Sequence, residues 1–435
     1  MRLPGLAMVG LILFAIGLSG CDPAEDRGGT GTLTYWASNQ SASLDRDREI
    51  LSPRLAEFTR RTGIEVELEV IPWSDLLNRI LAAASSGQGP DVLNIGNTWS
   101  ASLQASGALR PFDESALAKV GGRDRFLPST LTSTGAAGQP PAAVPLYGLA
   151  YGLYYSRKRF AEAGISSPPG TWAELLDTAR RLTEPARDRW GLGIMGSSYT
   201  ANAHLAFVFG RQHGATLFEG DRSTLDSPQL AAGIGQYLDL VAGAKVVNPG
   251  NAEYQNDTQP LKDFATGRTA MVMLQSHATM GLRANGMAAE DYGVAPIPVP
   301  DPLPPGGKRI TSHVAGINLG VFTDTDNAEG ALKFVEFMTS PDTQRAVNAD
   351  LGSLPVATAA YDDPRFQGPV VRTFREVLAG TAETMPMIPQ EAQFETLVGT
   401  AVKDLLARIA GGRTVTVADV RAELAAADER MRGGG

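Results

Sequence analysis

The sequence predicts an α/β fold, and three features of its first hundred residues predict it: apolar residues that alternate with period two, apolar stripes of helical period, and the regular succession of the two. Leu33-Thr34-Tyr35-Trp36 reads as a short strand. From Ile50 to Arg61 the spacing of Leu51, Leu55 and Phe58 is helical, and Thr62-Gly63 stops it. Ile64 to Ile71 then alternates, with Ile64, Val66, Leu68 and Val70 on one face and Glu65, Glu67 and Glu69 on the other, as in a strand with one wet face. Ser74 is placed to cap a helix whose stripe is Leu76, Leu77, Ile80, Leu81 and Ala84; Gly87 ends it, and Asp91 to Ile95 is the next strand. Strand, helix, strand, helix, strand implies parallel strands joined by crossover helices.

The same alternation continues without sequence repeats. Thr171-Trp172-Ala173-Glu174 is a capping box before Leu175, Leu176, Ala179 and Leu182. Ala328 to Met338 is an amphipathic helix, and Ser340-Pro341 starts another with a cap and a first-turn proline. Thr416 with Asp419 caps a last helix carrying Val420, Leu424, Ala427 and Met431. The proline-rich run from Pro296 to Pro305 reads as a stiff surface excursion, a spacer.

With 435 residues and 43% hydrophobic content the chain is long enough for two or three domain-sized units. A net charge of −9 argues against a nucleic-acid binder, which carries a basic face. At the N-terminus Arg2 precedes a mostly apolar run from Leu6 to Leu18. That run fits a secretory signal and is short of the ~20 residues a membrane-spanning helix needs. Leu18-Ser19-Gly20-Cys21 ends it with small residues before the chain's only cysteine, a lipobox in which Cys21 is acylated. The expectation is therefore a signal peptide over 1–20, a lipidated tether over 21–30, and a body held on the extracytoplasmic face of the cell membrane.

Three tryptophans, Trp36, Trp73 and Trp99, fall close to strand ends. An aromatic face takes the C–H side of a sugar ring, and amides and hydroxyls take its oxygens. Trp36 is followed by Ser38-Asn39-Gln40-Ser41 and Trp99 is preceded by Asn97-Thr98, which supplies both chemistries. A tryptophan at a strand end also serves to close a core, and Trp172, inside its capping box, reads that way. His204, His213, His277 and His313 lack the close spacing of a helix-borne metal site and no cysteine joins them, so no metal is expected. Gly191, Gly193 and Gly196 spell G-x-G-x-x-G within an apparent strand, with no helix expected to open on them. There is no G-x-x-x-x-G-K-[ST], so any ATPase is a separate chain, and neither H-E-x-x-H nor G-x-S-x-G occurs.

Several blocks resemble the family 1 extracellular solute-binding proteins of ABC importers. They are RTGIEVE, GPDV and SGALRPFD between Phe58 and Asp113, and VPLYGLAYGLYYSRKRFAEAGISSPPGTWAELL between Ala143 and Thr183. FATGRTAMVML, GINLGVF, ALKFVEFMTSPDTQ and GSLPV follow between Phe264 and Val356, and then MPMIPQ at Met385 to Gln390. The resemblance implies the two-lobed type II periplasmic-binding-protein fold, with the lobes joined by crossing strands and the ligand in the cleft between them. By the same analogy the chain crosses near Leu146 to Ala150, near Ser312 to Gly316 and near Leu351 to Val356. One lobe is then expected over 31–147 and 315–352, and the other over 148–314 and 353–435.

The resemblance also implies a function: hinge closure on a carbohydrate, delivery to ABC permease subunits, a monomeric receptor without cofactor or catalysis. It places ligand contacts near Ser198 and Tyr199, at Tyr147 on the first crossing, at His277, and at His313 and Gly316 on the second. His277 stands where many relatives have a tryptophan platform, and Glu395 where maltodextrin binders have an aromatic. Both departures point to a smaller or more polar ligand. The candidate ligand-binding set is thus Trp36, Asn39, Gln40, Ser41, Trp73, Asn97, Thr98, Trp99, Tyr147, Ser198, Tyr199, His277, His313 and Gly316. The alternatives are the same fold binding a glycerol phosphodiester, a polyamine or a peptide, or a surface glycoside hydrolase or lyase.

Overall fold

The computed structural model describes residues 31–41, 43–220 and 222–433, so the expected signal peptide, the tether and Cys21 lie outside the described residues. Its strands, in chain order, are β1 (Thr32–Ser38), β2 (Glu65–Ile71), β3 (Val92–Gly96), β4 (Val144–Leu149), β5 (Tyr151–Ser156) and β6 (Trp190–Gly193). A small hairpin, β7 (Phe218–Glu219) with β8 (Arg222–Ser223), comes next. Then follow β9 (Thr269–Gln275), β10 (Tyr292–Ala295), β11 (Ser312–His313), β12 (Ala315–Val321), β13 (Leu354–Pro355) and β14 (Ala382–Glu383).

These strands make two main sheets. The first runs β13-β4-β12-β3-β1-β2 and the second β10-β5-β9-β6. The expected parallel unit is present, since β1 pairs in parallel with both β2 and β3. The sheet as a whole is mixed, however: β12 is antiparallel to β3 and to β4. A strand that returns from the other lobe re-enters the sheet from the opposite end, which sets its direction.

Local chemistry accounts for the element ends. The Leu44–Thr62 helix begins six residues before the expected stretch because Ser43 caps it, its side chain accepting from Arg46 N; Gly63, at φ 75°, closes it. The Trp73–Ser86 helix begins one residue before Ser74, directly after Pro72, so Ser74 lies in its first turn and not at its cap. The capping box at Thr171 and Glu174 forms as expected, and so does the Ser340 cap. The proline-rich run is partly internal: Ile297 and Val299 are buried, and Trp172 N donates to Val299 O at 2.9 Å.

The chain leaves the first sheet for the second through the single buried residue Ala150, between β4 and β5. It returns through Val314, between β11 and β12. Ser276 N donates to Ala150 O and Asn97 Nδ2 to Val314 O, so each passage is held by a bond from outside itself. Beyond that, Leu354–Pro355 still pairs with β4 and Ala357 bridges to Phe126, so these residues stand with the first sheet. The chain joins the second sheet's core further on, where the Pro369–Gly380 helix packs Phe374, Val377 and Leu378 against Tyr154, Val272 and Leu274.

Each sheet is covered on both faces. Leu33, Tyr35, Ala37 and Phe334 lie in the core on one face of the first sheet, and Leu93, Ile95, Trp99 and Phe322 in the core on the other. The second lobe's largest core joins Leu153, Leu192 and Phe209 to Phe394 and Leu405 of the Glu391–Ala410 helix. Among the described residues no helix is long and apolar enough to cross a membrane.

Candidate functional site

Between the two sheets lies a cleft enclosing about 940 Å³, counting the part open to solvent. Its first wall grows from the carboxyl ends of β1 and β3, where open α/β sheets place ligands. After β1, Asn39 N donates to Ile71 O, which turns the chain outward into Asn39-Gln40-Ser41. One buried carboxylate then fixes this turn. Asp47 Oδ2 accepts from Asn39 Nδ2 at 2.5 Å and from Gln40 N at 3.0 Å, and its Oδ1 accepts from Ser41 N at 3.0 Å. Burial raises the Asp47 pKa, and these hydrogen bonds oppose the rise. Gln40 Oε1 is buried without a partner, an acceptor free for a ligand hydroxyl.

At the end of β3, Gly96 gives way to Asn97-Thr98 and the cleft-lining indole of Trp73. A Cβ at Gly96 would stand 3.0 Å from Trp73 Cη2 and 3.1 Å from Trp99 Cδ2, so glycine lets both indoles close over the strand end. Trp73 and Trp99 stack with centroids 4.6 Å apart and planes at 20°.

The second wall comes from the Tyr199–Gln212 helix and two loops. Ser198 caps the helix, its Oγ accepting from Ala201 N. Thr200, Ala201 and His204 face the cleft from its first turns. A helix does therefore follow the glycines at 191, 193 and 196, contrary to expectation, and its start faces the cleft. Opposite stand Gln255-Asn256-Asp257 and the Gln275 to His277 turn after β9, where His277 Nε2 meets Asp257 Oδ2 at 3.1 Å. His277 Nδ1 is buried without a partner.

The floor is the pair of passages. Leu149, Tyr151, His313, Ala315 and Gly316 line it. His313 lies against His204 with ring centroids 4.0 Å apart, and both its nitrogens are buried without partners. Burial first, and then neighbouring His204, hold its pKa well below the ordinary 6.5, so it is a neutral ring. His204 Nε2 meets Glu395 Oε1 at 2.9 Å, and its Nδ1 lies 3.2 Å from Tyr151 Oη.

Ten of the fourteen expected residues line this one cleft: Asn39, Gln40, Ser41, Trp73, Asn97, Thr98, Ser198, His277, His313 and Gly316. Four stand elsewhere. Trp36 lies inside β1, one residue out of phase with buried Leu33, Tyr35 and Ala37, and the Arg79 guanidinium covers its ring at 4.3 Å. Trp99 is fully buried beneath Trp73, with Nε1 donating to Glu395 Oε2 at 2.9 Å. Tyr147 is buried in the first lobe, its hydroxyl 3.3 Å from Ser38 Oγ. Tyr199 begins its helix outside the cleft lining, and burial followed by the Glu395 charge pushes its pKa up to about 12.

Sequence reasoning missed Tyr151, Met195, Thr200, His204, Gln255, Asn256, Asp257 and Gln275. His204, which the sequence marks as lacking the spacing of a helix-borne metal site, is part of the wall. Its only sequence signal was a histidine near the start of a helix that follows a strand end. Among the described residues no three His, Cys, Asp or Glu side chains are grouped to hold a metal ion.

The family model described as bacterial extracellular solute-binding protein matches residues 41–345, about 70% of the chain. The chain belongs to this family. This solute-binding protein is 25% identical over 389 residues to the maltotriose-binding protein of Pyrococcus abyssi, covering 87% of this chain and 78% of that one. It is 23% identical over 402 residues to the diacetylchitobiose-binding protein of Streptomyces coelicolor, covering 90% of each. Its fold is that of two-lobed solute-binding proteins. The structure of one from Thermotoga lettingae, bound with α-D-tagatose, superposes with TM-score 0.77 at 24% identity, over 92% of this chain and all of that one. These relatives and neighbours are binding proteins and not enzymes.

Proposed function

We propose that this solute-binding protein captures a neutral sugar or short oligosaccharide outside the cytoplasmic membrane and delivers it to the permease of an ABC importer. A ligand bridging the walls favours the closed arrangement by its contacts to both lobes. Cys21, acylated, anchors the chain to the membrane, and a separate subunit hydrolyses ATP. The names of the relatives, which bind maltotriose and diacetylchitobiose, support the ligand class.

One observation carries the reading. The cleft sets an indole, Trp73, beside the amides of Asn39, Gln40 and Asn97 and the hydroxyls of Ser41, Thr98, Ser198 and Thr200, and no lysine or arginine is among the described residues lining it. A phosphate ester needs such a cation, which counts against a glycerol phosphodiester. A polyamine needs free carboxylates, and among the described residues the lining offers only Asp257, engaged with His277. A glycoside hydrolase needs two carboxyl groups flanking the scissile bond, and the same lone carboxylate counts against it. The departure at His277, which lines the cleft, favours a compact ligand over a long glucan.

The test is a thermal-shift screen of the chain from residue 22 against mono-, di- and trisaccharides, sugar alcohols, glycerol phosphodiesters and polyamines. A ligand of the native state raises the melting temperature according to its concentration over its Kd. A shift confined to one sugar class supports the reading. Shifts confined to phosphodiesters or polyamines overturn the ligand class, and turnover of any glycan overturns the binding role.

A further inference from the structure

Glu395 touches both walls of the cleft without lining it. It lies on the Glu391–Ala410 helix, 1% exposed. Its Oε2 accepts from Trp99 Nε1 and its Oε1 meets His204 Nε2, both at 2.9 Å. Trp99 follows β3 of the first sheet, whereas His204 belongs to the Tyr199–Gln212 helix packed in the second lobe. Each partner supports a cleft-lining ring. Trp99 carries Trp73 at 4.6 Å, and His204 carries His313 at 4.0 Å. A second bond joins the same helix to the first lobe, from Ala392 N to Ser102 Oγ at 3.2 Å.

We propose that Glu395 is a positioning residue that clasps the two walls and sets the angle at which Trp73 and His204 face a common ligand. It deepens the sugar-capture reading but rests physically only on the two-lobed fold. A carboxylate is acceptor only. Two donors from different lobes therefore converge on one side chain, and His204 is held with its proton on Nε2, leaving Nδ1 to accept from Tyr151 Oη. With both oxygens engaged and the side chain buried, Glu395 has nothing left for a ligand. It acts through Trp99 and His204. Charge-assisted bonds in a buried site are the strong kind, so the loss of one changes the ratio of clasped to unclasped molecules by about tenfold or more.

The test needs no ligand. Asp75→Cys and Glu253→Cys, both exposed and one on each lobe, take spin labels in the chain from residue 22, which retains every described residue and lacks the single native cysteine. The expected result is one narrow distance distribution for the parent and a longer, broader one for Glu395→Leu. Glu395→Gln restores the parent distribution: its carbonyl still accepts from Trp99, and its amide donates to His204 once the ring proton moves to Nδ1 and is given to Tyr151. Trp99→Phe keeps the ring and the stack but removes the donor, and so serves if Glu395→Leu fails to fold; it is expected to broaden the distribution too. The clasp is overturned if Trp99→Phe and any folded Glu395→Leu superimpose on the parent, or if the parent is already as broad as they are. Because no sugar is present, this failure is distinct from a failure of the sugar screen.

Discussion

The indoles of Trp73 and Trp99 lie face to face, 4.6 Å apart, yet only Trp73 lines the cleft; Trp99 is fully buried beneath it. Two aromatic rings in one stack thus have separate tasks, and substitution separates them.

Trp73→Ala is expected to weaken sugar binding at least tenfold, about 1.4 kcal/mol, with a small change in melting temperature. Trp36→Ala, under its Arg79 cover, is expected to leave affinity within about twofold, a few tenths of a kcal/mol. Titration calorimetry with the sugar class found in the screen checks both; equal losses at the two positions would contradict the assignment.

Trp99→Ala removes a core side chain and should cost about 3–5 kcal/mol of stability. Denaturant unfolding measures this, and a cost under about 1 kcal/mol, typical of a surface site, would mean that Trp99 is not the support of the platform.

Asp47→Ala leaves the Asn39 amide and the Gln40 and Ser41 N–H groups without their shared acceptor. The donors are half-buried and Asn39 Nδ2 keeps Ser41 O as a partner at 3.0 Å, so each lost bond costs about 1 kcal/mol, and the turn loses its shape. Affinity is expected to fall with stability. A variant with unchanged affinity would show that the turn takes no part in binding.

Two buried groups bound the pH of greatest stability. Glu391 has both oxygens buried without partners, and burial, aided by the Glu395 charge, holds its pKa well above the ordinary 4.5. Above pH 4.5 the unfolded chain releases a proton that the native state keeps, so its contribution to stability falls as pH rises towards the native pKa. His313 is the mirror case, with a native pKa well below 6.5. Below pH 6.5 the unfolded chain takes up a proton that the native state refuses, so stability falls as pH falls. Melting curves across this range should flatten on the alkaline side in Glu391→Gln and on the acid side in His313→Gln. Curves parallel to the parent's would contradict the account.

Much of this was legible in local pattern. The alternation at Ile64 to Ile71, the Thr171 box and the polar turn after β1 are short-range signals, and they led to the right elements and to one wall of the cleft. Trp36 was misplaced because its distance from the strand end was misread; the alternation of Leu33, Tyr35 and Ala37 puts it on the opposite face. Asp47 carries no mark in sequence that separates it from neighbouring Asp45, since its burial depends on how the turn folds back over it. Tyr151, His204 and Glu395 meet only because the second lobe's core brings together residues far apart in the chain, and no periodicity records that. The resemblance pointed to the passages at Ala150 and Val314, which local pattern does not reveal, but also to one near Leu351 to Val356, where the chain instead stays with the first sheet.

We expect the cleft to bind a neutral sugar against Trp73. The most direct measurement is titration calorimetry of the chain from residue 22 and of its Trp73→Ala variant, with neutral mono- to trisaccharides and sugar alcohols beside a glycerol phosphodiester. The expected result is one-to-one binding of one neutral class that Trp73→Ala weakens at least tenfold, about 1.4 kcal/mol. Binding of the phosphodiester alone, or sugar binding indifferent to Trp73, would contradict it.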